Sequence, residues 1–271
     1  MKNKETKAIC LMIEILFAII YLSIVLFIIV NSFKTKMDFY LNPWRLPNEI
    51  TLDNYLGFLI NYQGINYWIN SLCISTLAIS IALPLSIFFA FTISIDQSPK
   101  RVKVILFLIS CLYFFPDVIL LTPLHSLLSF IGFTRNLSAL IFMYVKALVP
   151  SMIMFLFVSF KRVSNDIIDS YLIDGVGWFR LIYCEIIKLC KIEIVFVILY
   201  SYVMLFKDYT IAYIFNNEEK FTTITVAISK YLSINNLNYP QYYAATIITE
   251  APFFLLLIFI SSSISKNQKN I

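Results

Sequence analysis

Residues 161–191, KRVSNDIIDSYLIDGVGWFRLIYCEIIKLCK, form a charged, amphipathic segment between two long apolar runs. Apolar side chains at 167, 168, 171 and 172 recur at helical spacing, and Ser164 or Asn165 can cap the helix that they predict. Asp174-Gly175 predicts the end of that helix, because glycine readily adopts the left-handed conformation found there. A second amphipathic stretch begins at Trp178. The segment is suited to docking a soluble partner; the alternative is an interfacial helix that rests on lipid headgroups.

The composition is that of a polytopic membrane protein. Of the 271 residues, 60% are hydrophobic and 14% are charged, whereas globular domains are about 45–50% apolar and about 25% charged. A helix needs about 20 apolar residues to cross the hydrocarbon. The sequence therefore predicts an all-α fold with six transmembrane helices, at about 8–30, 69–95, 104–124, 137–160, 190–214 and 242–264. Kinks or breaks are expected at Pro84, Pro116, Pro123, Pro150 and Pro252.

The basic residues predict the orientation of these helices. With the N-terminus inside, the inner segments hold thirteen Lys and Arg residues and the outer segments hold six. Both termini are therefore predicted to be cytoplasmic. The first apolar run contains Glu14 and lacks a small-residue cleavage site, which indicates a retained span and not a signal peptide.

The predicted organisation follows from these spans. An N-terminal transmembrane helix covers 1–33, and an extracytoplasmic loop covers 34–68. A core of five transmembrane helices covers 69–264 and contains the cytoplasmic segment 161–191. A second outer loop lies at about 215–241, and a cytoplasmic tail covers 265–271. In the first outer loop, Thr51 is expected to cap a short helix.

Several motifs that carry chemistry are absent from the sequence. There is no GxxxxGK[ST] phosphate-binding loop, so ATP hydrolysis is expected on a separate chain. His125 is the only histidine, and the five cysteines form no CxxC motif. We therefore expect no metal site and no cofactor. No Ser-His-Asp or paired-carboxylate arrangement is readable, so the chain is not expected to be an enzyme.

Ionisable residues within the predicted spans are candidates for a translocation path. Charges at membrane depth are costly unless they pair or face a cavity. Their alternative explanation is snorkelling, or a misplaced span boundary. Tyrosines in the same helices, including Tyr213, would supply aromatic walls that suit a sugar ring. The candidate path consists of Tyr144, Lys146, Lys207, Asp208, Tyr209 and Glu250.

Segment 161–191 resembles the EAA loop of ATP-binding-cassette (ABC) importer permeases. That pattern runs E-A-A-x-x-D-G and is followed by I-x-L-P. Asp169 stands at the Glu, and Ser170 and Tyr171 stand at the two Ala. Asp174-Gly175 stands at the Asp-Gly. The resemblance implies that the segment couples the permease to its ATPase through Asp166, Asp169, Ser170, Tyr171, Asp174, Gly175 and Gly177.

The second half of that motif is replaced in this chain. Glu185 stands at the Ile, Ile187 at the Leu and Lys188 at the Pro. The motif Glu in the first half is likewise an aspartate.

Motifs in the rest of the chain resemble the MalG-like carbohydrate permeases, in the order of that family, over about residues 35–262. TLDNY at 51–55 resembles the T-L-x-N-Y before the second span, and NSL at 70–72 resembles the start of that span. Pro116, Pro123-Leu124 and the GFTRN at 132–136 follow the pattern of the third span. Phe206-Lys207-Asp208-Tyr209 stands at the W-N-D/E-Y/F, with Trp and Asn replaced. Ala244, Ala245 and Pro252 fall where the last span has its Ala and Pro.

The resemblance implies a type I ABC importer permease (MetI-like) fold in the plasma membrane. It implies a permease that moves a sugar or sugar derivative by alternating access. The implied partners are a cytoplasmic ABC ATPase dimer, a second permease subunit, an extracytoplasmic solute-binding protein and membrane lipid, with no nucleic acid.

Two other interpretations of the sequence stay open. In the first, the chain is an autonomous six-span carrier or channel whose membrane charges couple ions to solute. Such a protein needs no ATPase, so segment 161–191 would be dispensable. In the second, the chain is a membrane partner that has lost transport, which the replaced motif residues would permit.

Overall fold

The computed structural model describes residues 2–115, 117–133, 137–216, 219–234 and 238–268. Every regular element in these ranges is helical. The chain divides into two compact units, one formed by Met1–Asn66 with Ala227–Ile271 and the other by Tyr67–Val226. Pro116 of the predicted third span and residues 134–136 of the GFTRN motif lie outside the described residues.

The first unit joins the N-terminal helix to the C-terminal one. It contains α1 (Lys2–Ser32), α2 (Lys36–Leu41), α3 (Asp53–Leu56) with a π-helical turn at Gly57–Asn61, and α14 (Tyr239–Gln268). Aromatic rings connect these helices: Phe27 contacts Trp44 at 4.7 Å between ring centroids, and Phe39 contacts Tyr239 and Tyr243 at 5.8 Å each. The aromatic pairs hold α2 against α14 beside the end of α1.

The TLDNY motif fastens α3 to the end of α1. The buried Asn54 side chain donates hydrogen bonds to the carbonyls of Ser32 and Lys34, both at 2.8 Å. The Tyr55 hydroxyl lies 2.7 Å from the Ser32 hydroxyl. Thr51 accepts a hydrogen bond at 3.1 Å from the amide of Asp53, the first residue of α3. This bond closes a local turn before the helix. The predicted capping by Thr51 is wrong, because Leu52 occupies the capping position and no side chain caps α3.

A fully buried lysine organises the loop that follows α1. The Lys34 ammonium donates to the carbonyls of Asn42 and Pro43 at 2.9 and 3.1 Å. The pKa of Lys34 is lowered, because burial disfavours the charged ammonium more than the nearby Asp38 carboxylate favours it. Asp38 in turn accepts hydrogen bonds at 3.1 and 2.7 Å from the backbone and side chain of Asn48. These bonds close the loop on itself.

The second unit holds most of the apolar core. It consists of α4 (Gly64–Ile95, from residue 67 on), α5 (Pro99–Phe114), α6 (Asp117–Phe130), α7 (Leu137–Phe160), α8 (Asn165–Ile173), α9 (Trp178–Arg180) with a π-helical stretch at Leu181–Ile186, α10 (Ile187–Leu189), α11 (Lys191–Lys207), α12 (Thr210–Phe215), a 3₁₀ turn at Glu219–Phe221 and the start of α13 (Ile224–Ile234). Helix α7 lies at the centre, since it packs against α5, α11 and α12. Small residues such as Ala78 and Ala82 are fully buried in this core.

The described helices contain between three and five candidate membrane spans. Three are long and apolar enough alone: Cys10–Ser32 within α1, α4 and α7. Two bent pairs, α5 with α6 at 89° and Trp178–Leu189 with α11 at 87°, qualify if each forms one span. The predicted all-helical fold is confirmed, while the count of six spans and the cytoplasmic termini stay predictions.

One span prediction differs from the structure, and four of the prolines do not break their helices. Helices α4, α6, α7 and α14 continue through Pro84, Pro123, Pro150 and Pro252, so no break occurs there, while the kinks stay predictions. The predicted span at 190–214 is instead divided, because α11 ends at Lys207 and α12 begins at Thr210. The Asp208 side chain accepts hydrogen bonds from the first free amides of α12, and so it starts a new helix where the sequence predicted a continuous one.

Candidate functional site

Helix α8 ends in a Schellman motif, as the Asp174-Gly175 pair predicted. Gly175 has a φ of 76°, in the left-handed region that glycine favours. The amide of Val176 donates to the carbonyl of Tyr171 at 3.0 Å, and the amide of Asp174 donates to that of Ser170 at 3.0 Å. These bonds satisfy carbonyls at the helix end and reverse the chain direction.

One face of the segment 161–191 is anchored in the core of the second unit. Ile168 from α8 is buried, and so are Leu181, Ile182 and Ile186 from the π-helical stretch. A π-helical stretch shifts side chains around the helix axis relative to an α-helix. Here it places these three apolar residues within the core.

The other face of the segment is exposed and carries both apolar and acidic side chains. Ile173 is 85% exposed, Phe179 is 73% exposed and Trp178 is 50% exposed. Large apolar residues are costly to leave in water, and an exposed group of them beside polar residues indicates an interaction surface. Six of the seven predicted coupling residues are exposed on this segment: Asp166, Asp169, Ser170, Asp174, Gly175 and Gly177.

The seventh coupling residue, Tyr171, holds the two halves of the segment together. Its hydroxyl donates to the Glu185 carboxylate at 3.2 Å, and Glu185 forms an ion pair with Lys188 at 3.5 Å. The hydrogen bond to Glu185 and the charge of that carboxylate raise the pKa of Tyr171. Glu185 and Lys188 are two of the residues that replace the I-x-L-P pattern, so the replaced positions supply a contact within the segment.

A pocket of about 250 Å³ lies between α6, α7, the end of α11 and the start of α12, within the second unit. Tyr144, which is buried, donates to the Asp208 carboxylate at 3.2 Å. The same carboxylate accepts the amides of Ile211 and Ala212 at 3.3 and 3.0 Å. The pocket is lined by Leu121, Tyr144, Ala147, Met204, Leu205, Lys207, Asp208, Thr210 and Ile211.

Three of the six predicted path residues meet in this pocket: Tyr144, Lys207 and Asp208. Lys146 is half-buried on α7, next to the lining residue Ala147. Tyr209 is exposed and its ring stacks on that of Tyr213, with centroids 5.3 Å apart and an interplanar angle of 21°. Glu250 belongs to the first unit.

Sequence reasoning missed the remaining lining residues, because most of them are apolar and resemble ordinary core residues. Thr210 is the exception, since it lies only two positions after Asp208. A predicted helix break at Asp208 would have placed Thr210 beside the candidate residues. The pocket combines hydroxyl, charged and apolar groups, an arrangement suited to reversible binding of a polar solute.

Comparison with known proteins supports a transport role. The diacetylchitobiose uptake system permease protein NgcG of Streptomyces coelicolor is 22% identical over 244 residues, which cover 89% of this chain and 80% of that protein. The trehalose/maltose transport system permease protein MalG of Thermococcus litoralis is 24% identical over 95% of this chain and 94% of its own length. The melibiose/raffinose/stachyose import permease protein MelC of Bacillus subtilis is 22% identical over 85% of this chain and 83% of its own length. No family model matches the chain.

The fold is also that of a known transporter. A chain from a bacterial ABC transporter that imports the acidic polysaccharide alginate matches with a TM-score of 0.75, at 14% sequence identity, over 96% of this chain and 97% of that one. In sequence and in fold, the chain is a relative of the permease subunits of ABC importers, which are transport components and not enzymes. Within that class it is similar to the MalG-like carbohydrate permeases, and it is a multi-pass membrane protein.

Proposed function

We propose that the chain is a permease subunit that imports a sugar or sugar derivative across the plasma membrane, driven by ATP hydrolysis on a separate ATPase. The names of its relatives describe the uptake of saccharides, including diacetylchitobiose, trehalose and maltose. In the proposed cycle, this chain and a second permease subunit form the path. Closure of an ATPase dimer rocks their helices between inward-open and outward-open states.

The exposed face of segment 161–191 carries the proposal. Its buried side is fixed in the core, where the Trp178 ring contacts that of Phe91 at 6.3 Å between centroids, while Ile173 and Phe179 are exposed beside the turn that the Schellman motif creates. This turn presents apolar side chains within a polar face of mixed charge, which fits a cleft on a soluble protein. Asp166, Asp169 and Asp174 are exposed there beside Arg180, whereas the polar face of an interfacial helix is rich in Lys and Arg.

The proposed topology has six spans, with both termini and segment 161–191 in the cytoplasm. It is supported by the thirteen inner against six outer basic residues. In this orientation the loop at 34–68 faces outward, where Trp44, Leu46 and Ile50 are 85%, 77% and 78% exposed. We assign this loop and the one at 215–241 to contact with a solute-binding protein and the outer lipid interface.

The test is capture of the ATPase by variants of the exposed face. The chain is co-expressed with its candidate ATPase, second permease and binding protein, and the complex is purified through this chain. We expect Phe179→Ser to reduce the captured ATPase by about tenfold, the loss typical of an aromatic residue central to an interface. Binding-protein-stimulated ATP hydrolysis should fall with it.

Phe130→Ser is the matched control. Phe130 is 92% exposed at the end of α6, on the opposite side of the membrane in the proposed topology. It should leave ATPase capture unchanged. A wild-type chain that purifies without any ATPase would contradict the proposal and favour an autonomous carrier or a non-transporting partner.

A further inference from the structure

Lys207 is the cation that the pocket beside Asp208 presents to a ligand. It lines the pocket and its side chain is exposed. It makes no hydrogen bond or ion pair with any residue that the structure describes. A charge in a predicted membrane span that pairs with no described residue is the kind of group that marks a solute path.

The neighbouring carboxylate does not neutralise this cation directly. Asp208 is turned toward α12, where it accepts the amides of Ile211 and Ala212, and toward α7, where it accepts the hydroxyl of Tyr144. Adjacent residues also project in different directions, so Lys207 and Asp208 do not face each other. The carboxylate is therefore part of the wall, while the ammonium is available to a ligand.

Two exposed tyrosine rings lie on the residues that follow Asp208 in the chain. Tyr209 and Tyr213 stack within one helical turn, and they are 39% and 54% exposed. Exposed tyrosine rings offer flat apolar faces with a polar tip, which suit the faces and hydroxyls of a sugar ring. The cavity of about 250 Å³ is smaller than pockets for drug-sized ligands, which measure about 300–1,000 Å³. It can hold a single small group of a larger molecule.

We propose that Lys207 selects an anionic saccharide, by binding its carboxylate, sulfate or phosphate group while the tyrosine pair contacts the ring. This inference rests on the proposed function and names its substrate class. In the W-N-D/E-Y/F pattern, the position of Lys207 holds a neutral asparagine. The substitution adds a positive charge at a place where that pattern has an uncharged amide.

Lys207 also lies in the last turn of α11, where a cation stabilises the helix dipole. The test must therefore separate ligand selection from helix stability. Lys207→Arg keeps the charge in both roles, and Lys207→Asn removes it. The experiment compares only variants that still purify with the ATPase, so that failure to assemble refutes the proposed function and not this inference.

The first measurement is the electrostatic potential at the pocket, which needs no knowledge of the ligand. Thr210→Cys is placed in a complex whose native cysteines are replaced, and its reaction rates with an anionic and a cationic methanethiosulfonate are compared. Lys207→Asn removes a positive charge from a wall that also holds the Asp208 carboxylate, and local fields of this kind change ion concentrations by about tenfold or more. We expect the anionic-to-cationic rate ratio to fall about tenfold in Lys207→Asn and to be unchanged in Lys207→Arg. High salt should reduce the difference.

The second measurement uses two probes, a galacturonic acid trisaccharide and the neutral galactose trisaccharide. We expect the acidic trisaccharide to protect the cysteine at position 210 more than the neutral one, and Lys207→Asn to abolish that difference. An unchanged rate ratio in Lys207→Asn overturns the proposal. Protection by the neutral trisaccharide that equals or exceeds protection by the acidic one overturns it as well.

Discussion

Replacing Gly175 by alanine should loosen the turn after α8 by an amount that the structure allows us to work out. A Cβ added at this position would meet nothing within 4 Å, so it clashes with no residue beyond its chain neighbours. The cost comes from the φ of 76°, which disfavours an L-residue by about 1–2 kcal/mol. This free energy corresponds to a shift of about five- to thirtyfold between the formed and the opened turn.

Hydrogen exchange at the amide of Val176 measures that shift directly. This amide donates to the carbonyl of Tyr171 across the Schellman motif, so it exchanges when the turn opens. In Gly175→Ala its exchange should be about five- to thirtyfold faster than in wild type. Gly175→Asn should lie between the two, since asparagine tolerates the left-handed region. Binding-protein-stimulated ATP hydrolysis should fall in the same order.

Gly177→Ala is the matched control for this prediction. A Cβ added at Gly177 would also meet nothing within 4 Å, but the φ there is −65°, which any residue adopts. Its replacement should leave exchange at Val176 unchanged. If Gly177→Ala accelerates exchange as much as Gly175→Ala, or if neither does, then the left-handed conformation does not stabilise the turn and the reasoning fails.

Two further predictions concern packing and pH. Gly64→Ala places a Cβ 2.6 Å from the ring and 2.8 Å from the carbonyl of Phe58. This crowding should destabilise the first unit by about 1–3 kcal/mol. In Gly57→Ala the new Cβ meets only the end of a flexible side chain, so the thermal midpoint should fall less. The hydrogen bond from Tyr171 to Glu185 raises the pKa of the Tyr171 phenol in the folded state. The stabilisation of the folded state by this bond is therefore present below pH about 10, and it is lost as pH rises through the raised pKa. The thermal midpoint of wild type minus that of Tyr171→Phe should therefore be constant from pH 7 to about pH 9 and shrink above pH 10; a difference that stays constant to pH 11 would contradict this.

The sequence predicted the features that depend on local rules. The helix end at Gly175 follows from the conformational freedom of glycine. The long apolar helices α1, α4 and α7 follow from composition, because each span needs only its own residues to satisfy its backbone.

Features that join distant residues could not be predicted in this way. Tyr144 and Asp208 are 64 positions apart, and nothing in either neighbourhood indicates that they meet. The π-helical stretch at Leu181–Ile186 likewise depends on what its side chains pack against. The division of the fifth predicted span was missed, although it has a local signal: Lys207-Asp208 interrupts the apolar run, and aspartate favours the start of a helix.

The buried lysine in the loop after α1 has a consequence for how this protein can change over time. The Lys34 ammonium is held by the backbone carbonyls of residues 42 and 43, and every amino acid supplies the same carbonyl. Mutation at those two positions leaves the acceptors in place, whereas mutation at position 34 removes the side chain that bonds to both. Drift should therefore be tolerated at 42 and 43 and selected against at 34, so the loop keeps its shape while its outward surface is free to adapt to a new partner.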